Sequence, residues 1–150
     1  MKRVLSLAFV VALIVPFVAQ AQAKPDFSGS WTLDTAKSDP PPQGRGGGGG
    51  GGGRGPAGPV VIKQTATDIT IGMNTYKLDG SPTEIQGRGG VSKATAKWDG
   101  AKLVITTTGE VQGQAFTQTQ TRSLSADGKE MTVEGSGGRG PTKQVFTKGM

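Results

Sequence analysis

The sequence predicts an all-β protein: a single antiparallel up-and-down β-barrel of about eight to ten strands, with a disordered Gly/Pro-rich loop between the first two. Two observations carry that reading. From Lys97 to Glu134, three runs of alternating hydrophobicity are divided by Asp99-Gly100, by a longer bend at Gly109 to Gly113, and by Asp127-Gly128. Asp-Gly between alternating hydrophobics is the strongest short-range hairpin signal, because both central residues of the favoured turn need positive φ. Outside that meander, strand-like runs recur at even spacing with turn residues between them, the pattern of a barrel or sandwich. Closure is expected because it removes exposed sheet edges, and a chain without cysteine has no disulfide to protect them.

Residues 1–23 read as a signal peptide. Lys2 and Arg3 give a positive start, Val4 to Val18 an apolar core broken by Ser6 and Pro16, and Ala19-Gln20-Ala21-Gln22-Ala23 two overlapping small-x-small cleavage sites. Cleavage is expected after Ala21 or Ala23. The apolar run of about fifteen residues is short of the roughly twenty that a spanning helix needs, and no later segment approaches it. The mature chain is therefore expected to be soluble, secreted or periplasmic, with no integral membrane segment and a monomeric state.

Cleavage after Ala23 leaves residues 24–150, one domain in length. It carries fifteen bases against eleven acids, a net +4 once Lys2 and Arg3 are removed. That balance is mild for a dedicated polyanion binder unless the charges cluster. The domain opens with Asp26-Phe27-Ser28-Gly29-Ser30-Trp31-Thr32-Leu33-Asp34, in which Phe27, Gly29, Trp31 and Leu33 share one face of a period-two strand. Pro40-Pro41-Pro42, eight glycines at 46–53, Pro56 and Pro59 then make 39–59 a flexible insertion that no helix or strand survives. Strand patterns follow at Val60 to Thr65, Asp68 to Met73, Thr75 to Asp79, Thr83 to Gln86 and Val91 to Trp98. They continue at Lys102 to Thr108, Gln114 to Ser125, Lys129 to Glu134 and Thr142 to Lys148, ten with the first.

Absences narrow the chemistry. With no histidine and no cysteine, Ser-His-Asp and Cys-His catalysis, the usual zinc ligands and the commonest proton-transfer group are missing. Several of the acids sit in tight turns, where short polar side chains have structural work. Carboxylate-based hydrolysis would need two acids converging in a cleft, and the spacing offers no such pair. The expectation is a protein that is not an enzyme and uses no metal or cofactor.

The N-terminal Phe27-Ser28-Gly29-Ser30-Trp31 resembles the Gly-x-Trp opening strand of lipocalins and fatty-acid-binding proteins. The segment from Thr121 to Glu134 resembles the late hairpin of the fatty-acid-binding family, Asp99 to Val104 its preceding strand, and Val60 to Ile71 its second and third strands. The resemblance covers most of the mature chain and implies a ten-stranded barrel around a cavity for a fatty acid or similar amphiphile. It departs at two places. The family's helical lid falls on the Pro/Gly insertion, and the carboxylate-binding Arg-x-Tyr of its last strand falls on Gln144-Val145-Phe146. The family's internal arginine of the late hairpin is matched by Arg122. The chain is identified as a small secreted bacterial protein of lipocalin-like type.

Four Gly-Arg-Gly triplets, centred on Arg45, Arg54, Arg88 and Arg139, lie between strands. Single-stranded nucleic acid is not expected as a partner, because such sites add aromatic stacking platforms and 40–59 contains none. A solvated linker and an anion-attracting loop both fit. In an up-and-down barrel alternate connections share an end. All four triplets fall in the odd connections, whereas Asp68, Asp79, Asp99 and Asp127 fall in the even ones. That implies one basic, loose end and one acidic, tightly turned end, or simply glycine-rich drift in whichever loops were free to vary. In the resembling family the entrance is at the end of the odd connections.

The run Gln114 to Ser125 places Phe116, Gln118, Gln120, Arg122 and Leu124 on one face and Ala115, Thr117, Thr119, Thr121 and Ser123 on the other. If the first set faces inward the lumen is amphipathic; if outward, the threonines fill a narrow dry core. An inward Arg122 must be paired, with an acid of the protein or an anionic group of a ligand. The candidate ligand-binding residues are Arg122, Gln118, Gln120, Phe116, Gln144, Phe146 and Trp31. Two functions follow: a carrier or sensor holding a small amphipathic or hydrophobic molecule, or an envelope or extracellular structural protein with a filled barrel and a glycine-rich contact loop. The insertion is expected to be dispensable for folding, since loop-closure entropy changes by only about 0.6 kcal/mol per doubling. Replacing Gly46 to Gly53 by two glycines should move stability by roughly 1 kcal/mol or less in urea unfolding, and loss of cooperativity would refute that.

Overall fold

The computed structural model describes residues 24–40, 58–87, 90–137 and 140–149. Its strands are β1 (Gly29–Asp34), β2 (Val60–Gln64), β3 (Asp68–Ile71), β4 (Asn74–Lys77), β5 (Thr83–Gly87), β6 (Gly90–Asp99), β7 (Lys102–Val111), β8 (Gln114–Leu124), β9 (Glu130–Ser136) and β10 (Thr142–Lys148). They form one antiparallel sheet in the order β4-β3-β2-β1-β10-β9-β8-β7-β6-β5. Chain neighbours pair, β1 pairs with β10, and the two ends of the order, β4 and β5, approach each other without a ladder. The result is a nearly closed up-and-down barrel. Residues 1–23, most of the 39–59 insertion, and Arg45, Arg54, Arg88 and Arg139 lie outside the described residues.

Alternation decides which side chains enter the core. Ile62, Ile69, Tyr76, Leu103, Ile105, Met131, Val133 and Phe146 are buried, while their chain neighbours on the opposite face of each pleat are mostly more exposed. A slip of one residue in any of these strands would reverse that assignment, so burial fixes the register.

The turns differ from the sequence expectation. Asp99 pairs with Lys102, so the central residues of that hairpin are Gly100 and Ala101, with positive φ at Gly100 (59°). Glycine at the first central position is the type II′ arrangement, and the β3–β4 turn repeats it with Gly72 (61°) and Met73. Both central residues have positive φ at Gln112 (53°) and Gly113 (77°). The broad bend expected from Gly109 to Gly113 is therefore a two-residue turn, and β7 continues through Gly109. A Cβ at Gly109 would stand 2.6 Å from Ser92 Oγ and 2.9 Å from Phe116 Cε1. The glycine makes room for the aromatic ring of the paired residue across the ladder.

The end of the barrel formed by the even connections is sealed by aromatic rings. Trp31 and Phe27 are fully buried. The indole Nε1 of Trp31 donates to the Phe27 carbonyl at 2.8 Å, and Phe27 stacks on Trp98 with centroids 6.0 Å apart. The segment leading into β1 is held by one amide: Gln64 Oε1 accepts from Phe27 N, and Gln64 Nε2 donates to the Pro25 carbonyl. After β1 the chain turns at 35–37 and rejoins β10, where Ser38 Oγ accepts from Val145 N at 2.9 Å and Asp39 N donates to the Lys143 carbonyl at 2.8 Å. Trp31→Ala should cost about 3 to 5 kcal/mol in denaturant unfolding; a loss under about 1 kcal/mol would show that this floor carries little of the fold.

Candidate functional site

Cross-strand partners share a face of the sheet, so the ladder assigns each candidate residue to the inside or the outside. Arg122 pairs with Leu103 on one side and Val133 on the other, both core residues. Its side chain is therefore internal, and so by alternation are Phe116, Gln118, Gln120 and Leu124. Gln144 lies opposite Val133 and completes a row running Trp98, Leu103, Arg122, Val133, Gln144. The next row is Ala96, Ile105, Gln120, Gly135, Thr142. Along β8, Phe116 stands nearest the odd end and Arg122 about 20 Å deeper, at about 3.3 Å per residue, with two amides between them.

The seven candidates separate into two groups. Arg122, Gln120, Gln118 and Gln144 come together on one wall, with Phe116 above them over Gly109. Phe146 and Trp31 belong to the floor: Phe146 pairs with Met131 and Leu33, and the ring of Trp31 is already covered on all sides. The wall opposite, from β2 to β4, is lined by Ile62, Ile69 and Tyr76. The barrel interior thus gathers its amides and Arg122 on one side, among Leu103, Ile105 and Val133.

Arg122 is the buried polar or charged side chain of the described core, 9% exposed. Its Nη2 donates to Gln120 Oε1 at 3.1 Å and its Nη1 lies 4.0 Å from the Met131 sulfur, whereas Nε is buried with no partner. Among the described residues no acid pairs with it. Glu84, Glu110, Glu130 and Glu134 all sit on the outer face of their strands, one residue out of phase with the core. Burial without a counter-charge pushes the guanidinium down to about 10, with a smaller opposing influence from Tyr76.

Tyr76 is the residue that sequence reasoning missed. It pairs with Ile69 and points inward from β4. Desolvation pushes its phenol up, while the nearby Arg122 charge and a hydrogen bond with Asn74 pull it down. The Arg-x-Tyr absent from β10 is thus echoed by an arginine and a tyrosine from two different strands. Alternation could have placed Tyr76 inside; only barrel closure brings β4 near Arg122. The site offers one cation, a phenol and several amides for an anionic or polar group, beside an apolar wall for a hydrocarbon body.

No family model and no curated protein sequence matches the chain. Among solved structures it is similar to human cRBP IV, a cellular retinol-binding protein, with a TM-score of 0.52 and 20% identity. The match covers 83% of this chain and 99% of that one. The fold is accordingly that of the fatty-acid-binding and lipocalin barrels, as the sequence resemblance implied.

An uncompensated internal cation lowers stability at neutral pH. Because the folded-state value lies below the ordinary one, the penalty is fully present below about 10 and is relieved only as pH rises from there toward the unfolded value. Arg122→Met should therefore stabilise the empty protein, by about 1 to 3 kcal/mol. Thermal unfolding near pH 7 checks it. Destabilisation would mean that the guanidinium has an anionic partner within the fold.

Proposed function

We propose that the protein is a carrier or sensor that holds an elongate amphiphile in its barrel, with an anionic head toward Arg122 and a hydrocarbon body against the β2–β4 wall. The observation that carries this reading is the Arg122 guanidinium, internal, desolvated and without an acid partner among the described residues. A planar fork of this kind suits a carboxylate. Gln118, Gln120 and Gln144 supply further hydrogen bonds along the polar side, and the Tyr76 phenol can donate a second bond to the head. The likeness to a retinol-binding protein supports a small hydrophobic guest. The signal-like sequence of residues 1–23 supports work outside the cytoplasm, secreted or periplasmic, and the proposal takes the carrier as a monomer.

A second reading is favoured by the dry lower half of the barrel. Phe27, Trp31, Ile62, Ile69, Leu103 and Met131 are fully buried and belong to one packed cluster, which is what a filled scaffold would have. The two readings separate on titration with a dansylated fatty acid and with the corresponding neutral alcohol. Under the carrier reading the acid binds, Arg122→Met weakens it tenfold or more, equivalent to about 1.4 kcal/mol, and the alcohol is little affected. Tyr76→Phe should weaken the acid by about two- to tenfold, the worth of one hydrogen bond. Absence of saturable binding to either probe would leave the filled scaffold.

A further inference from the structure

Two buried side-chain polar atoms among the described residues have no hydrogen-bond partner: Arg122 Nε and the Thr83 hydroxyl. The proposed function uses the arginine and leaves the threonine without a role. Thr83 opens β5 and pairs with Ala94, which is fully buried. Cross-strand partners share a face, so the Thr83 side chain is internal. Ile85, two residues on, packs against the core and fixes the same phase. The ladder extends this row from Thr83 through Ala94 and Thr107 to Gln118, and Ser92, opposite Ile85, adds a further hydroxyl in the next row.

A buried hydroxyl without a partner is costly, and protein interiors hold few of them. Valine would fill the same volume and suits a strand equally well, so neither packing nor strand propensity accounts for the oxygen. Its place in the barrel does. β5 lies beside β4 across the seam that has no ladder, so Thr83 borders the β2–β4 wall on which the hydrocarbon body of a guest would lie. The neighbours in its row, Ala94 and Thr107, are short side chains that leave room for such a body. From Arg122 the backbone of Thr83 is two rows away, about 13 Å along the strands, and three strands away, about 14 Å around the sheet at about 4.8 Å each. One headgroup cannot reach both. A single guest satisfies both only if it carries a second oxygen some way along its chain.

We infer that the guest is an oxygenated amphiphile, a fatty acid with a hydroxyl on its hydrocarbon body, and that Thr83 is the residue that recognises this hydroxyl. The inference rests on the carrier reading and narrows it: Arg122 takes the head, Thr83 the oxygen along the chain. A threonine hydroxyl both donates and accepts, and so does the alcohol it would meet. The test is displacement of a dansylated fatty acid by stearic acid and by stearic acids hydroxylated at successive mid-chain carbons. At least one hydroxylated isomer should bind about three- to tenfold more tightly than stearic acid, the worth of one hydrogen bond. Thr83→Val should remove that preference and leave stearic acid within about twofold of wild type, whereas Thr83→Ser should retain it. Arg122→Met should weaken both kinds of acid alike. In thermal unfolding the empty Thr83→Val protein should be at least as stable as wild type, because it loses an unpaired oxygen. The inference is overturned if every hydroxylated isomer binds no better than stearic acid or if Thr83→Val keeps the preference. It is overturned equally if Thr83→Val lowers the melting temperature, which would give the hydroxyl a partner inside the fold. Displacement by none of the acids would overturn the carrier reading itself, and this inference with it.

Discussion

The fold depends on how its floor is closed. Without disulfides, a ten-stranded barrel must bury enough apolar surface at one end to hold both termini of the sheet order in place. Trp31 does this from β1, the strand that joins the late meander to the early hairpins. Its indole proton satisfies the Phe27 carbonyl, and the Phe27 ring carries the contact on to Trp98 in β6. Two aromatic residues at the start of the domain and a third from β6 thus tie β1 to the other side of the barrel. The Gln64 amide turns the irregular segment 25–28 across the opening and supplies the backbone groups there with partners.

Above that floor, burial changes character from one wall to the other. On the β2–β4 side the inward residues are branched aliphatics and a tyrosine; on the β6–β10 side small residues such as Ala94, Ala96, Gly109 and Gly135, the amides and Arg122 are set among Leu103, Ile105, Met131 and Val133. The small residues leave space for the longer polar side chains beside them. Under the proposed carrier function that asymmetry would orient an elongate guest, because turning it over would place hydrocarbon on the amides and leave the guanidinium without an anionic partner.

Much of this was legible in the sequence, and the parts that were not have physical causes. Alternation located the strands and divided β8 into two faces, because a period of two survives in any sheet with one dry face; which face is inward was left open and is settled by the pairing of Arg122 with Leu103 and Val133. The turn types were not legible. Whether a glycine takes the first or second central position depends on which flanking residues pair, and Asp99 pairs with Lys102. Gly109 reads as a bend because glycine is depleted in strands, yet here its missing Cβ accommodates Phe116. Tyr76 escaped notice because its importance lies in its electrostatic influence across the barrel on Arg122, and no local pattern encodes which strands face each other once the sheet closes.

The sheet order begins at β4 and ends at β5, and these strands approach each other with no backbone ladder between them. Everywhere else around the circumference, widening the barrel means breaking hydrogen bonds in register. Along this seam only side-chain packing has to yield. The cylinder is therefore mechanically a split ring, stiff around most of its girth and compliant along one line. Any breathing that lets a molecule wider than the rim pass inward will begin there, beside Tyr76. The same opening would bare two short strand edges, and their brevity and the outward charges of Lys77 and Glu84 oppose pairing with another chain while the ring is open.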